Sequence, residues 1–175
     1  MGVNLLDFAI LDFLQTYIRC DLLDKVFAFI THLGDAGAIW ITIGVVMLFF
    51  KKYRKCGIAV LLSLALCAII TSGVIKPLAG RLRPFQIRDI VPYIAPPGGF
   101  SFPSGHTSSS FTAATAIFLY RKKEGAVAYV LAALIAFSRL YFYVHFPSDV
   151  LVGGVLGVLC AILVHKIADK YLSCI

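Results

Sequence analysis

Charge is scarce in this 175-residue chain: Asp, Glu, Lys and Arg supply 14% of it, apolar residues supply 60%, and the mean hydropathy is +0.91. That balance excludes an ordinary soluble domain, because a large buried helical core needs more polar surface than this chain offers. Acidic residues are scarcer still, 9 against 16 Lys and Arg. The basic residues stand in short clusters between apolar runs and form no stripe, so nucleic acid is not an expected partner. No CxxC spacing occurs among Cys20, Cys56, Cys67, Cys160 and Cys174. Their odd number argues against a full disulfide framework, and they read as small residues for packing between membrane helices. The first eighteen residues contain no Lys or Arg, so the basic start of a cleavable signal peptide is not expected. Internal repeats and low-complexity linkers are missing too.

What remains is long apolar stretches. Crossing a ~30 Å hydrocarbon core takes about 20 apolar residues as helix. Such stretches predict crossings at about 34–50, 57–78, 104–120, 125–144 and 149–166. Residues 3–19 are too short and too interrupted to cross. At 100° per residue, Asn4, Asp7, Asp12, Gln15, Thr16 and Arg19 share roughly half the circumference, which suits a helix lying in the membrane interface. The alternative is a helix packed on the rest of the protein. The stretch 22–50 is broken at Gly34-Asp35-Ala36-Gly37. Residues 22–33 then form either a short helix at the outer face or an extension of the span. Asp35 lies ~22 Å along a helix from Phe50, near the far interface. The expected fold is all-α: an integral membrane bundle of about five transmembrane helices plus an N-terminal interfacial amphipathic helix.

Alternating crossings put the basic residues of 51–55, 121–123 and the Lys166/Lys170 tail on one side, nine in all. The positive-inside rule makes that side cytoplasmic. The other side then carries the segment 79–103 and the turn around His145.

Three segments on that outer side hold charge that a membrane protein otherwise avoids near its span ends. In the first, residues 76–84, Pro77 and Gly80 are expected to end a helix, and Pro84 stiffens the chain beyond it. Lys76 and Arg83 suit a phosphate dianion, or else snorkel to headgroups as ordinary anchors. In the second, Ser104 is placed as an N-cap, Gly105 lets the backbone approach a ligand, and His106 comes next in a first turn whose free N–H groups favour anions. In the third, Arg139 precedes His145, and Asp149 sits in the first turn of a new helix. An Asp there can fix the tautomer of a nearby imidazole, or simply favour the helix dipole. A metal is disfavoured, because the cations would repel a divalent ion and few carboxylates share the face.

The pattern Lys-x6-Arg-Pro at 76–84, Pro-Ser-Gly-His at 103–106 and Ser-Arg-x5-His-x3-Asp at 138–149 resembles the three-part signature of the type 2 phosphatidic acid phosphatase superfamily. The chain looks like a bacterial member, shorter than six-helix relatives by one initial span. The resemblance implies one membrane phosphatase domain, 1–175, with its motif-bearing core at 76–149. It implies a phosphohistidine route without metal or other cofactor. His145 would be nucleophile, Asp149 its orienting partner, and His106 the general acid. Lys76, Arg83, Arg139, Ser104 and the Gly105 N–H would bind the phosphoryl oxygens. It implies a phosphorylated membrane lipid as partner: undecaprenyl pyrophosphate, lipid A 1-phosphate, phosphatidylglycerophosphate or phosphatidic acid. Arg88, Asp89 and Tyr93 would contact a headgroup, and Arg81 is a further cation beyond the motif. The implied site of action is the bacterial inner membrane, with the active site facing outward and the C-terminus cytoplasmic. Rival readings are phosphotransfer to another lipid and an anion or phospholipid transporter.

Overall fold

A computed structural model describes residues 5–171. The expectations for Asn4 and Cys174 lie outside the described residues. Every described element is helical. Helix α1 (Leu5–Phe13) runs into one π-helical turn, Leu14–Ile18, and α2 (Asp21–Leu33) comes next. Asp21 and Asp24 in the first turn of α2 complement its dipole. The chain then bends by 43° at Asp35–Gly37 before α3 (Ala38–Leu48). Residues 22–33 therefore belong to a separate helix set at an angle to the next.

Helix α4 (Arg54–Ala68) continues through a π-helical stretch, Ile69–Ile75, into α5 (Lys76–Ala79). Pro77 does not end it. A proline inside a helix lacks the N–H for the carbonyl four residues back and crowds that turn, and here the turns just before it are widened. The stop comes at Gly80, in the left-handed region at φ 55°, where glycine has no Cβ to clash. A short α6 (Pro84–Arg88) and an irregular segment lead to α7 (Gly105–Tyr120), α8 (Lys122–Tyr141) and α9 (Pro147–Tyr171).

Helix α7 is the hub, packed on α4, α8 and α9. Its small residues permit this: Ala113, Ala114 and Ala116 are buried with Trp40, Val60, Ala132, Ile135 and Ala161 in the main core. Between α7 and α9 the backbones nearly touch. A Cβ on Gly153 would lie 2.8 Å from the Ser104 carbonyl oxygen, and one on Gly157 2.5 Å from that of Ser108. Apolar burial gives membrane helices no drive to associate, so such close backbone packing holds them together. Trp40 adds a buried polar tie, its indole N–H donating to Ser110 Oγ at 2.9 Å.

The outer surface is apolar. On α9, Leu151, Val155, Leu159, Leu163 and Ile167 recur every fourth residue, and all are at least half exposed. That stripe faces lipid. Among the described residues, three helical runs are long and apolar enough to cross a membrane, with a fourth where the bent α2–α3 pair is counted as one span. Helix α7, also expected to cross, has 16 residues, about 24 Å of rise, and is the one most enclosed by its neighbours.

Helix α1 unites the two readings of the N-terminal segment. Leu5, Leu6, Ile10 and Phe13 are exposed, an apolar face of the kind that lies in a membrane interface. Its acidic face is turned into the protein: Asp7 binds Arg81 and Ser148, and Asp12 accepts from the Tyr143 hydroxyl at 2.6 Å. At the opposite end of the bundle the two basic loops meet, with Arg121 donating to the Lys52 carbonyl at 2.6 Å.

Candidate active site

The three charged segments converge at one end of the bundle, drawn together by the close α7–α9 packing. Ser104 caps α7, its hydroxyl accepting from the Thr107 N–H at 3.4 Å. Its own N–H donates to the Asp149 carbonyl at 3.1 Å. One backbone bond thus fixes the start of α7 against the start of α9. Lys76 reaches across to the same place and donates to the Pro103 carbonyl at 3.2 Å. In front of Gly105 the space is open; a Cβ there would meet none of the described atoms within 4 Å.

His145 sits in the turn between α8 and α9, 2% exposed. Arg83 Nη1 lies 3.0 Å from its Nε2. A guanidinium only donates, so Nε2 accepts with its unprotonated lone pair, and the ring proton is on Nδ1. That proton faces Asp149 Oδ2 at 3.5 Å and Ser101 Oγ at 3.4 Å. Ser101 gives its own proton to Asp149 Oδ2 at 2.5 Å, which leaves its oxygen as the acceptor toward Nδ1. Burial pushes the imidazole well below its ordinary pKa; the Asp149 hydrogen bond opposes this, and the charges of Arg83 and Arg139 reinforce it. The ring is neutral, with Nε2 as its basic atom.

Asp149 is more heavily engaged than an orienting partner alone requires. Besides Ser101, Oδ2 accepts from the Phe146 N–H at 2.9 Å, and Oδ1 accepts from Arg81 at 2.5 Å. Arg81 also donates to Asp7 at 2.8 Å and lies 4.1 Å over the Phe146 ring. The cation beyond the motif is thus a buried strut between α1 and α9. Arg88 pairs with Asp12 and covers the Phe8 ring, while Tyr93 stacks on Phe142. Among the described residues, no hydrogen bond joins Arg88, Asp89 or Tyr93 to His145 or His106.

Arg83 and Arg139 differ in what they have free. Carbonyls of Gly98, Gly99 and Val144 hold Arg83 at 3.0–3.1 Å. Arg139, 2% exposed, donates to Thr31 Oγ1 at 2.5 Å, and its Nε has no partner among the described residues. A buried, unmatched guanidinium N–H is costly unless an anion takes it. The charges of both arginines act on both imidazoles, His106 and His145, so the two histidines share one cationic environment. His106 Nε2 donates to Asp35 Oδ1 at 2.9 Å. A cavity of about 210 Å³ opens beside it, lined by His106, Gly105, Ser109, Gly37, Thr71 and Ser72 among others.

Sequence reading missed Ser101, Asp7 and the contacts of Asp35. Ser101 sits in the irregular segment before α7, where no periodicity points a side chain in any direction. Asp7 and Asp35 were visible as rare charges in apolar surroundings, yet their partners lie 74 and 71 residues away.

Fold and site together define a multi-pass helical membrane protein with a histidine pair set among buried cations at one end. The chain belongs to the PAP2 superfamily, whose profile matches residues 57–172, and it is a lipid phosphatase of that superfamily. It is 32% identical over 146 residues to an undecaprenyl-diphosphatase of Sulfolobus acidocaldarius, covering 82% of this chain and 70% of the relative. It is 30% identical over 165 residues to a lipid A 4'-phosphatase of Porphyromonas gingivalis, covering 86% and 68%. The crystal structure of the transmembrane PAP2-type phosphatidylglycerolphosphate phosphatase from Bacillus subtilis superposes with a TM-score of 0.75 at 30% identity, over 97% of this chain and 89% of that one.

Proposed function

We propose that this phosphatase works by double displacement, without a metal ion, on a lipid phosphate or pyrophosphate at the outer membrane face. His145 Nε2 attacks phosphorus; a P–N bond forms as the bond to the leaving oxygen breaks. His106 protonates that oxygen. Water then attacks the phosphohistidine, gives its proton to His106, and frees phosphate from Nε2. Asp149 and Ser101 hold Nδ1–H, which keeps the attacking lone pair on the other nitrogen. Lys76, Arg83 and Arg139, with Ser104 and the Gly105 N–H, neutralise the phosphoryl oxygens as charge builds. One observation carries this reading: a neutral, buried imidazole whose Nε2 lone pair faces the guanidinium of Arg83. A phosphoryl oxygen bound to Arg83 places phosphorus within reach of that atom.

The outward orientation rests on the basic loops at the other end, which the positive-inside rule assigns to the cytoplasm. The substrate class rests on the family and on the names of the relatives: undecaprenyl pyrophosphate, a lipid A phosphate or phosphatidylglycerophosphate. Phosphate release from these three lipids by purified protein, with chelator present, tests the reading. Turnover is expected to survive chelation and to vanish in His145→Ala. Turnover stopped by chelator and restored by metal contradicts it, as does full activity in the variant.

A further inference from the structure

The break between α2 and α3 is shaped around His106. Asp35 takes the His106 Nε2–H on Oδ1 at 2.9 Å and the His32 Nδ1–H on Oδ2 at 2.8 Å, so one carboxylate joins two imidazoles. Getting it there requires an unusual backbone. Ala36 at φ 49° and Gly37 at φ 70° both lie in the left-handed region, which disfavours a residue such as alanine and is kept where surroundings or function demand it. Gly34 lets the turn come close: a Cβ on it would lie 2.8 Å from His106 Cδ2 and 2.9 Å from Ile135 Cγ2. A mere hinge between two helices needs neither the approach nor the carboxylate.

We propose that Asp35 is the positioning residue of His106, selecting its tautomer and supporting its positive charge, with His32 clamping the other carboxylate oxygen. This rests on the reading of His106 as general acid. With Nε2–H committed to Asp35, Nδ1 is the ring atom left to serve the leaving group. The protonated ring delivers its Nδ1 proton to the departing oxygen and recovers one from the attacking water, so each turnover balances without another donor. Burial, and then the positive charges of Arg139 and Arg83, work against the protonated form of this ring. Asp35 is the carboxylate bonded to it, and its negative charge works the other way.

The test compares purified wild-type, Asp35→Asn, Asp35→Glu, His32→Ala, His106→Ala and His145→Ala proteins in micelles. Two probes differ in leaving group: phosphatidic acid, which releases an alcohol, and p-nitrophenyl phosphate, which releases a stable phenolate needing little acid help. The readout is kcat/KM, with thermal midpoints checking the fold. Asp35→Asn keeps an oxygen for Nε2–H but loses the charge. It is expected to lower kcat/KM on phosphatidic acid by about 10- to 100-fold, part of the ~10²–10⁴-fold a general acid supplies, and by less than about threefold on p-nitrophenyl phosphate. Asp35→Glu is expected to recover part of the loss, and His32→Ala to show a smaller version of it. An equal loss on both probes, or none, overturns the proposal. If His106→Ala shows the leaving-group-dependent defect and Asp35→Asn does not, the role of Asp35 alone fails. If His106→Ala and His145→Ala both hydrolyse normally, the reading of the whole site fails.

Discussion

At the scale of single residues, the chemistry turns on where protons sit. His145 is kept neutral chiefly by burial, against the pull of Asp149 and with the push of Arg83 and Arg139. Its folded pKa is well below the ordinary 6.5. Below pH 6.5 the unfolded chain therefore takes up a proton at this ring that the folded protein refuses. The stability this group contributes is complete above 6.5 and is lost as pH falls below it. Nitrogen NMR of the labelled imidazole in micelles should find it neutral at pH 6.5, titrating only at lower pH; a midpoint at or above 6.5 would contradict the assignment. His145, His106, Asp149, Lys76, Arg83 and Arg139 were legible because a charge or imidazole beside an apolar span is rare and costly. Ser101 was not, since a serine in a polar loop carries no such signal until its oxygen is found against Asp149 and His145.

Among the elements, Gly80 ended its helix where expected and Pro77 did not, because the π-helical turns before it absorb what proline removes. Helix α1 carried an ambiguous pattern for a physical reason: one polar face serves equally to meet water or a buried arginine. Arg81 resolves it, and the pairing makes α1 part of the support beneath Asp149. Removing one member of a buried charge pair costs about 3–5 kcal/mol where the other is left unpaired; Arg81 keeps Asp149 when Asp7 is removed, so the cost here falls below that range. Asp7→Ala, which also removes the acceptor of Ser148, should still lower the thermal midpoint and weaken activity with it. Leu5→Ala, on the exposed apolar face of the same helix, is expected to leave the midpoint in micelles nearly unchanged. Equal midpoints for Asp7→Ala and wild type would show that α1 is not a strut.

For the whole molecule, membrane class and helical architecture were readable from span lengths, and convergence of the motifs from the alternation of crossings. What stayed hidden is how α7, too short to match its neighbours, is held at the centre by glycine contacts from α9. Orientation has its own check. With native cysteines replaced, Val91→Cys should react with an impermeant maleimide added outside intact cells, and Lys123→Cys only after lysis; equal reaction of both from outside would overturn the topology. The central claim is that His145 carries the phosphoryl group. It is tested most directly by the stereochemical course at phosphorus, using a chiral isotopically labelled thiophosphate ester of the lipid. Two in-line displacements, onto Nε2 and then onto water, are expected to give net retention of configuration. Net inversion would mean that water attacks directly, and that His145 never forms a bond to phosphorus.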